Sequence, residues 1–158
     1  MSSRSRAWLL ALVFPLWGQE LRVSPLVLSR GKTGSVSIKL SSPAGREPAA
    51  LQWDLVFPVA QVHVQDGNWS PGSAAHAAGK RLMCVKRLST KPDTYAYKCM
   101  LAGGEKTIRD GVVAVVKIDI PETALSGPAV LRLENVLGAS FGAVRLEMKP
   151  AQGTVTIR

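Results

Sequence analysis

The chain is poor in the residues on which most chemistry depends. Its 158 residues include two cysteines and two histidines, and 11 acids stand against 20 lysines and arginines. A zinc centre built on the cysteine pair would need two more ligands, and His63 and His76 show no local ligand spacing. A redox couple would want Cys84 and Cys99 much closer in sequence. There is no nucleophile elbow, no metal-binding histidine pair and no phosphate-cradling glycine loop. No metal or cofactor is expected. Catalysis has little to stand on, because scattered acids such as Asp54, Asp66, Asp110 and Glu134 would make a glycosidase pair only through tertiary folding.

Long apolar runs are also lacking, with one exception. Residues 7–17 (AWLLALVFPLW) are uncharged and apolar and follow Arg4 and Arg6. That is the layout of a signal peptide, and the run is too short to span a bilayer. A buried N-terminal helix or strand is the alternative. The expected organisation is a signal peptide over residues 1–18 and one domain over residues 19–158, secreted or periplasmic, without a stable membrane anchor. Losing Arg4 and Arg6 with the signal lowers the net charge from +9 to +7, which still favours anionic partners. Nucleic acid is not expected, since no binding motif accompanies the charge.

Helical periodicity is nearly absent; only residues 73–79 (SAAHAAG), with Ser73 as a cap and Gly79 as a stop, suit a turn or two of helix. What is present has a period of two. Val36, Ile38 and Leu40 alternate with Ser35, Ser37 and Lys39, and Leu51, Trp53, Leu55 and Phe57 alternate with Gln52, Asp54 and Val56. Val112, Ala114, Val116, Ile118 and Ile120 share a face, Leu131 and Leu133 oppose Arg132 and Glu134, and GTVTIR closes the chain as a last strand. Turn signals such as Asp66-Gly67, Pro71-Gly72 and Asp110-Gly111 separate these runs, which together predict an all-β sandwich.

The two cysteines belong to a predicted hairpin, with strands over residues 80–88 and 94–101 turning around Pro92. One face collects Leu82, Cys84, Lys86 and Leu88 with Tyr95, Tyr97, Cys99 and Leu101; the other collects Arg81, Met83, Val85 and Arg87 with Thr94, Ala96, Lys98 and Met100. Cys84 and Cys99 then lie nearly opposite on one face, which suits a disulfide in an exported protein; two buried thiols are the alternative. Of the tryptophans, Trp53 is expected inside. Trp69, between two turn signals, is expected to reach solvent, either as a sugar-stacking platform or folded over the sandwich end.

The succession GKTGSVSIKLSS, AALQWDLVFP, DGVVAVVKIDIP, LRLENVLGAS and GTVTIR resembles bacterial cohesin domains. The likeness extends over residues 21–158 and implies a jelly-roll sandwich of about nine strands. It also implies a non-catalytic protein-binding module of the dockerin-receiving kind, with a link to polysaccharide catabolism. A carbohydrate-binding module, gripping glycan through Trp69, is the alternative within the same superfamily. By that resemblance the partner meets the sheet made from the LQWDLVF, KRLMCVKRL, TYAYKCML and VLRLENV strands. Its outward residues by alternation are Gln52, Asp54, Arg81, Arg87, Lys98, Arg132 and Glu134, beside Met83, Val85 and Met100.

Overall fold

Alternation sorts the chain into strands, and burial stacks the strands as two sheets. The structure, a computed structural model, describes residues 18–158; the expected signal segment lies outside the described residues, Gly18 excepted. The elements are β1 (Gln19–Val23), β2 (Leu26–Leu28), β3 (Thr33–Ser41), β4 (Ala50–Pro58), β5 (Trp69–Pro71), α1 (Ser73–Ala77), β6 (Arg81–Leu88), β7 (Thr94–Ala102), β8 (Gly111–Asp119), β9 (Gly127–Ala139), β10 (Arg145–Leu146), β11 (Met148–Ala151) and β12 (Gly153–Ile157). One sheet runs β11, β1, β3, β8, β5; the other runs β2, β12, β9, β4, β7, β6, with β10 against β9. The all-β sandwich is as expected, but there are twelve strands among the described residues instead of about nine. The surplus comes from the very short β2, β5 and β10 and from terminal segments that change sheets.

Both ends of the domain make that change side by side. β1 pairs parallel with β11 in the first sheet, and beyond Pro25 the chain continues as β2, parallel to β12 in the second. Proline has no N–H to give a ladder, so the pairing breaks there. The matching crossing, between β11 and β12, needs Gly153, where a Cβ would stand 2.6 Å from the Val23 carbonyl oxygen.

The core contains the predicted inward residues of β3, β4 and β9, with Trp53, Leu55 and Phe57 fully buried. β8 departs from simple alternation. Its register with β3 shifts between Ile38 and Lys39, so that Ile38 faces Ala114 while Lys39 faces Val112. Val113 is the extra residue of this bulge and is buried in the core, and Val112 turns to the Lys39 side. In α1, Ser73 is the first helical residue and makes no cap, while Gly79 at φ +65° ends the helix as expected.

In the hairpin the register pairs Leu82 with Leu101, Cys84 with Cys99, Lys86 with Tyr97 and Leu88 with Tyr95, the predicted faces. Cys84 and Cys99 are joined by a disulfide, with their Cα atoms 4.1 Å apart. On the same inner side Phe57 stacks on Tyr95 at 5.4 Å between ring centroids and meets Tyr97 and Trp69 edge-on at 6.3 and 6.5 Å. The Tyr95 hydroxyl donates to the Val62 carbonyl and the Tyr97 hydroxyl to Asp66 Oδ1, each at 2.7 Å. These two bonds hold the segment after β4 against β7.

Two predictions follow from the hairpin and its aromatic rings. Replacing both cysteines, Cys84→Ala with Cys99→Ala, should lower unfolding stability by about 3 kcal/mol, the effect of releasing a loop of this size in the unfolded chain, measured by urea denaturation. An unchanged midpoint would contradict it. Burial raises both tyrosine pKa values above the ordinary 10.0, and Asp66 raises that of Tyr97 further. The folded state thus favours the neutral phenols: their stabilisation is complete below about pH 10 and is lost as pH rises through the native values. Phenolate absorbance and loss of β-sheet circular dichroism should therefore rise together in an alkaline titration. Phenolate forming in the folded domain at the ordinary value would contradict this.

Candidate partner-binding face

β4 lies in the middle of the second sheet, between β7 and β9, and its even-numbered residues face away from the core. The register arranges the outer side chains in rows. Met83, Met100, Gln52 and Leu137 form one; Val85, Lys98, Asp54 and Glu134 the next; Arg87, Ala96, Val56 and Arg132 the third. The predicted residues Gln52, Asp54, Arg87, Lys98, Arg132 and Glu134 thus share one contiguous face. Arg81 stands beside it, exposed, on the outermost strand opposite Ala102.

Asp54 is on the outer side as expected, but it is only 3% exposed. Its Oδ2 accepts from Arg87 Nη1 at 3.2 Å and from Asn135 Nδ2 at 2.7 Å. Its Oδ1 is buried and, among the described residues, has no hydrogen-bond partner. A buried carboxylate oxygen without a donor is a costly arrangement, so the two bonds to Oδ2 matter the more to holding Asp54 in place. Register sets Glu134 opposite Asp54, but Glu134 is occupied separately by Lys91 Nζ at 2.9 Å. Around this polar centre Met83 and Val85 are 64% and 66% exposed. The face therefore joins an exposed apolar strip to fixed polar groups and a positive surround.

Asn135 was not among the residues expected here. It sits where β9 bulges, since Gln52 faces Leu137 but Asp54 already faces Glu134. The bulge places Asn135 at φ +51°, a left-handed conformation that asparagine tolerates better than most residues. The signal was the change of parity along β9, from inward Leu131 and Leu133 to buried Gly138, with an asparagine at the break. Lys91 was missed because it lies in the hairpin turn, where alternation carries no information.

Trp69 is elsewhere. It belongs to β5 in the opposite sheet, pairs with Val116, and packs its half-buried ring against Phe57 and Tyr97. Among the described residues no group of three or more histidines, cysteines or acids is placed to hold a metal ion.

No protein-family model matches the chain, and no curated protein matches it in sequence. Solved structures do match. The third ScaC cohesin of Acetivibrio cellulolyticus, in complex with the ScaB dockerin, superposes with a TM-score of 0.73 at 14% identity, covering 88% of this chain and 98% of that one. The sixth cohesin of scaffoldin B from the same organism, in complex with the Cel5 dockerin, gives 0.72 at 15% identity over 89% and 99%. This chain has the cohesin fold. A non-cellulosomal cohesin from the archaeon Archaeoglobus fulgidus adds a TM-score of 0.67 at 15% identity over 89% and 91%. Cohesin architecture therefore persists here at a level of identity where only the fold is shared.

Within this cohesin fold, the Asn135 bulge should prove structural as well as local. Asn135→Gly keeps the left-handed backbone and loses the bond to Asp54, which should cost about 1 kcal/mol. Asn135→Ala should cost about 1 kcal/mol more, because a Cβ is strained in that conformation. Equal urea midpoints for the two variants would contradict this assignment.

Proposed function

We propose that the chain is an exported, non-catalytic module that receives a protein partner across the outer face of β9, β4, β7 and β6. The observation that carries this reading is the exposed strip of Met83, Val85 and Met100 beside the hydrogen-bonded Asp54–Arg87–Asn135 group. Protein interfaces combine such an apolar strip with a few fixed polar groups, and methionine and arginine are enriched in them. The apolar side chains would supply area, and the Arg87–Asp54–Asn135 bonds would hold the surface beneath them in one shape. Arg81, Lys98 and Arg132 would steer an acidic partner toward the face. Gln52 and Glu134 would contribute the polar rim.

The cohesin structures with the same fold are in complex with dockerins, which supports a dockerin-type domain or another secreted protein as partner. The disulfide supports an oxidising compartment and so export. The placement of Trp69 favours protein over glycan. Its ring is engaged with Phe57 and Tyr97 on the sheet opposite the face.

The test is capture on immobilised residues 19–158 from the source organism's secreted fraction, alongside neutral and acidic polysaccharides, followed by association kinetics with the captured protein. The combined variant Arg81→Gln, Lys98→Gln and Arg132→Gln should associate about tenfold more slowly at low salt and nearly as fast as wild type at high salt. Arg87 is left intact, because Asp54 depends on it. Binding to polysaccharide that is lost on Trp69→Phe, with no protein captured, would overturn the proposal in favour of the carbohydrate reading.

A further inference from the structure

The outermost strand of the second sheet has no strand hydrogen-bonded on its outer side, although β5 of the other sheet comes close to it. β6 contributes eight residues and pairs only with β7. No loop backbone group among the described residues bonds to residues 81–88. The other sheet ends are guarded: β2 and β5 have three residues each, β5 ends in Pro71, and β11 contains Pro150. Long edges without proline are templates for another strand, and the cations of β6 restrict which strand is accepted.

Which backbone groups are free can be read from the cysteine pair. Directly opposed residues in antiparallel strands alternate between hydrogen-bonded pairs about 5.5 Å apart and non-hydrogen-bonded pairs about 4.5 Å apart. Cys84 and Cys99, at 4.1 Å between Cα atoms, are a non-hydrogen-bonded pair. Leu82, Cys84, Lys86 and Leu88 therefore turn their N–H and C=O groups away from β7, toward the open side. Met83, Val85 and Arg87 keep theirs in the ladder. The free groups come from every second residue, as a further strand requires.

We infer that β6 takes an extended acidic segment of a partner protein as an added antiparallel strand. The charge decides the occupant. β6 carries Arg81, Lys86 and Arg87, and no acid occurs between residues 80 and 92. A second copy pairing edge to edge would set these cations against one another, whereas an acidic strand complements them. Along the outer face an incoming strand meets Arg81, Met83, Val85 and Arg87 in turn, so the preferred segment has two apolar residues flanked by acids at alternate positions. This edge is separate from the sheet face: its bonds run sideways from the backbone, and a domain that bound nothing across the face could still accept the strand.

The probe is a capped peptide, Glu-Glu-Val-Thr-Val-Thr-Glu, whose register sets glutamates against Arg87, Lys86 and Arg81. Amide hydrogen exchange of the wild-type domain is followed by NMR with and without it. Exchange should slow at Leu82, Cys84, Lys86 and Leu88, while Met83, Val85 and Arg87, already in the ladder, change little. The peptide with lysine in place of glutamate should give no protection. Lys86→Pro removes one edge N–H without touching the β7 ladder, and should bind the acidic peptide about tenfold more weakly than Lys86→Thr, which removes only the charge. Unchanged exchange at the four edge amides on saturation with peptide would overturn the inference. So would protection of those amides without peptide as protein concentration is raised, which would assign the edge to a second copy.

Discussion

The register of β4 between β7 and β9 is the constraint on which the rest of the structure depends. β4 is covered on both sides: Trp53, Leu55 and Phe57 pack between the sheets, while Asp54 and Val56 are buried beneath side chains on the outer face. A shift of one residue would exchange these sets, taking the Trp53 ring out of the core and an aspartate into it. β7 inherits its position from β4, and through β7 the cysteines come opposite each other.

From that register follow two unlike surfaces of one sheet. Inward, Phe57, Tyr95 and Tyr97 meet as a ring cluster whose hydroxyls reach across to Val62 and Asp66. Outward, Asp54 is caught between Arg87, which reaches over β7 from β6, and Asn135 on the adjoining β9. The same carboxylate binds three strands together through one oxygen and leaves the second without a donor.

Much of this was legible because burial on one face imposes a period of two. The hairpin pairing and the inward set of β3, β4 and β9 come from alternation, whereas the choice of strands for the outer face came from the resemblance, with alternation giving only which of their residues point outward. What was not legible arose where alternation fails or carries no weight. The bulges at Val113 and Asn135 insert one residue and reverse parity, and no propensity distinguishes Val112 from Val113 in a run of valines. β2, β5 and β10 are too short to show a period. The burial of Asp54 depends on Arg87 and Asn135, far away in sequence, and Trp69 looked like a loop residue because its strand has only three positions between turn signals. The resemblance to cohesins supplied the fold that these local patterns left incomplete, and the solved structures bear it out at the level of the fold.

A binding face centred on Asp54 and its neighbours is tested by a map of amide shifts. The isotope-labelled domain would be titrated with its captured protein partner, observing backbone amides and the Asn135 side-chain NH2, which donates to Asp54. The predicted result is a patch of shifts across β9, β4, β7 and β6 centred on Asp54 and Asn135, with the Met83 and Val85 row included. Shifts confined to β1, β3 and β8 on the opposite sheet, with the Asn135 side chain unmoved, would contradict it.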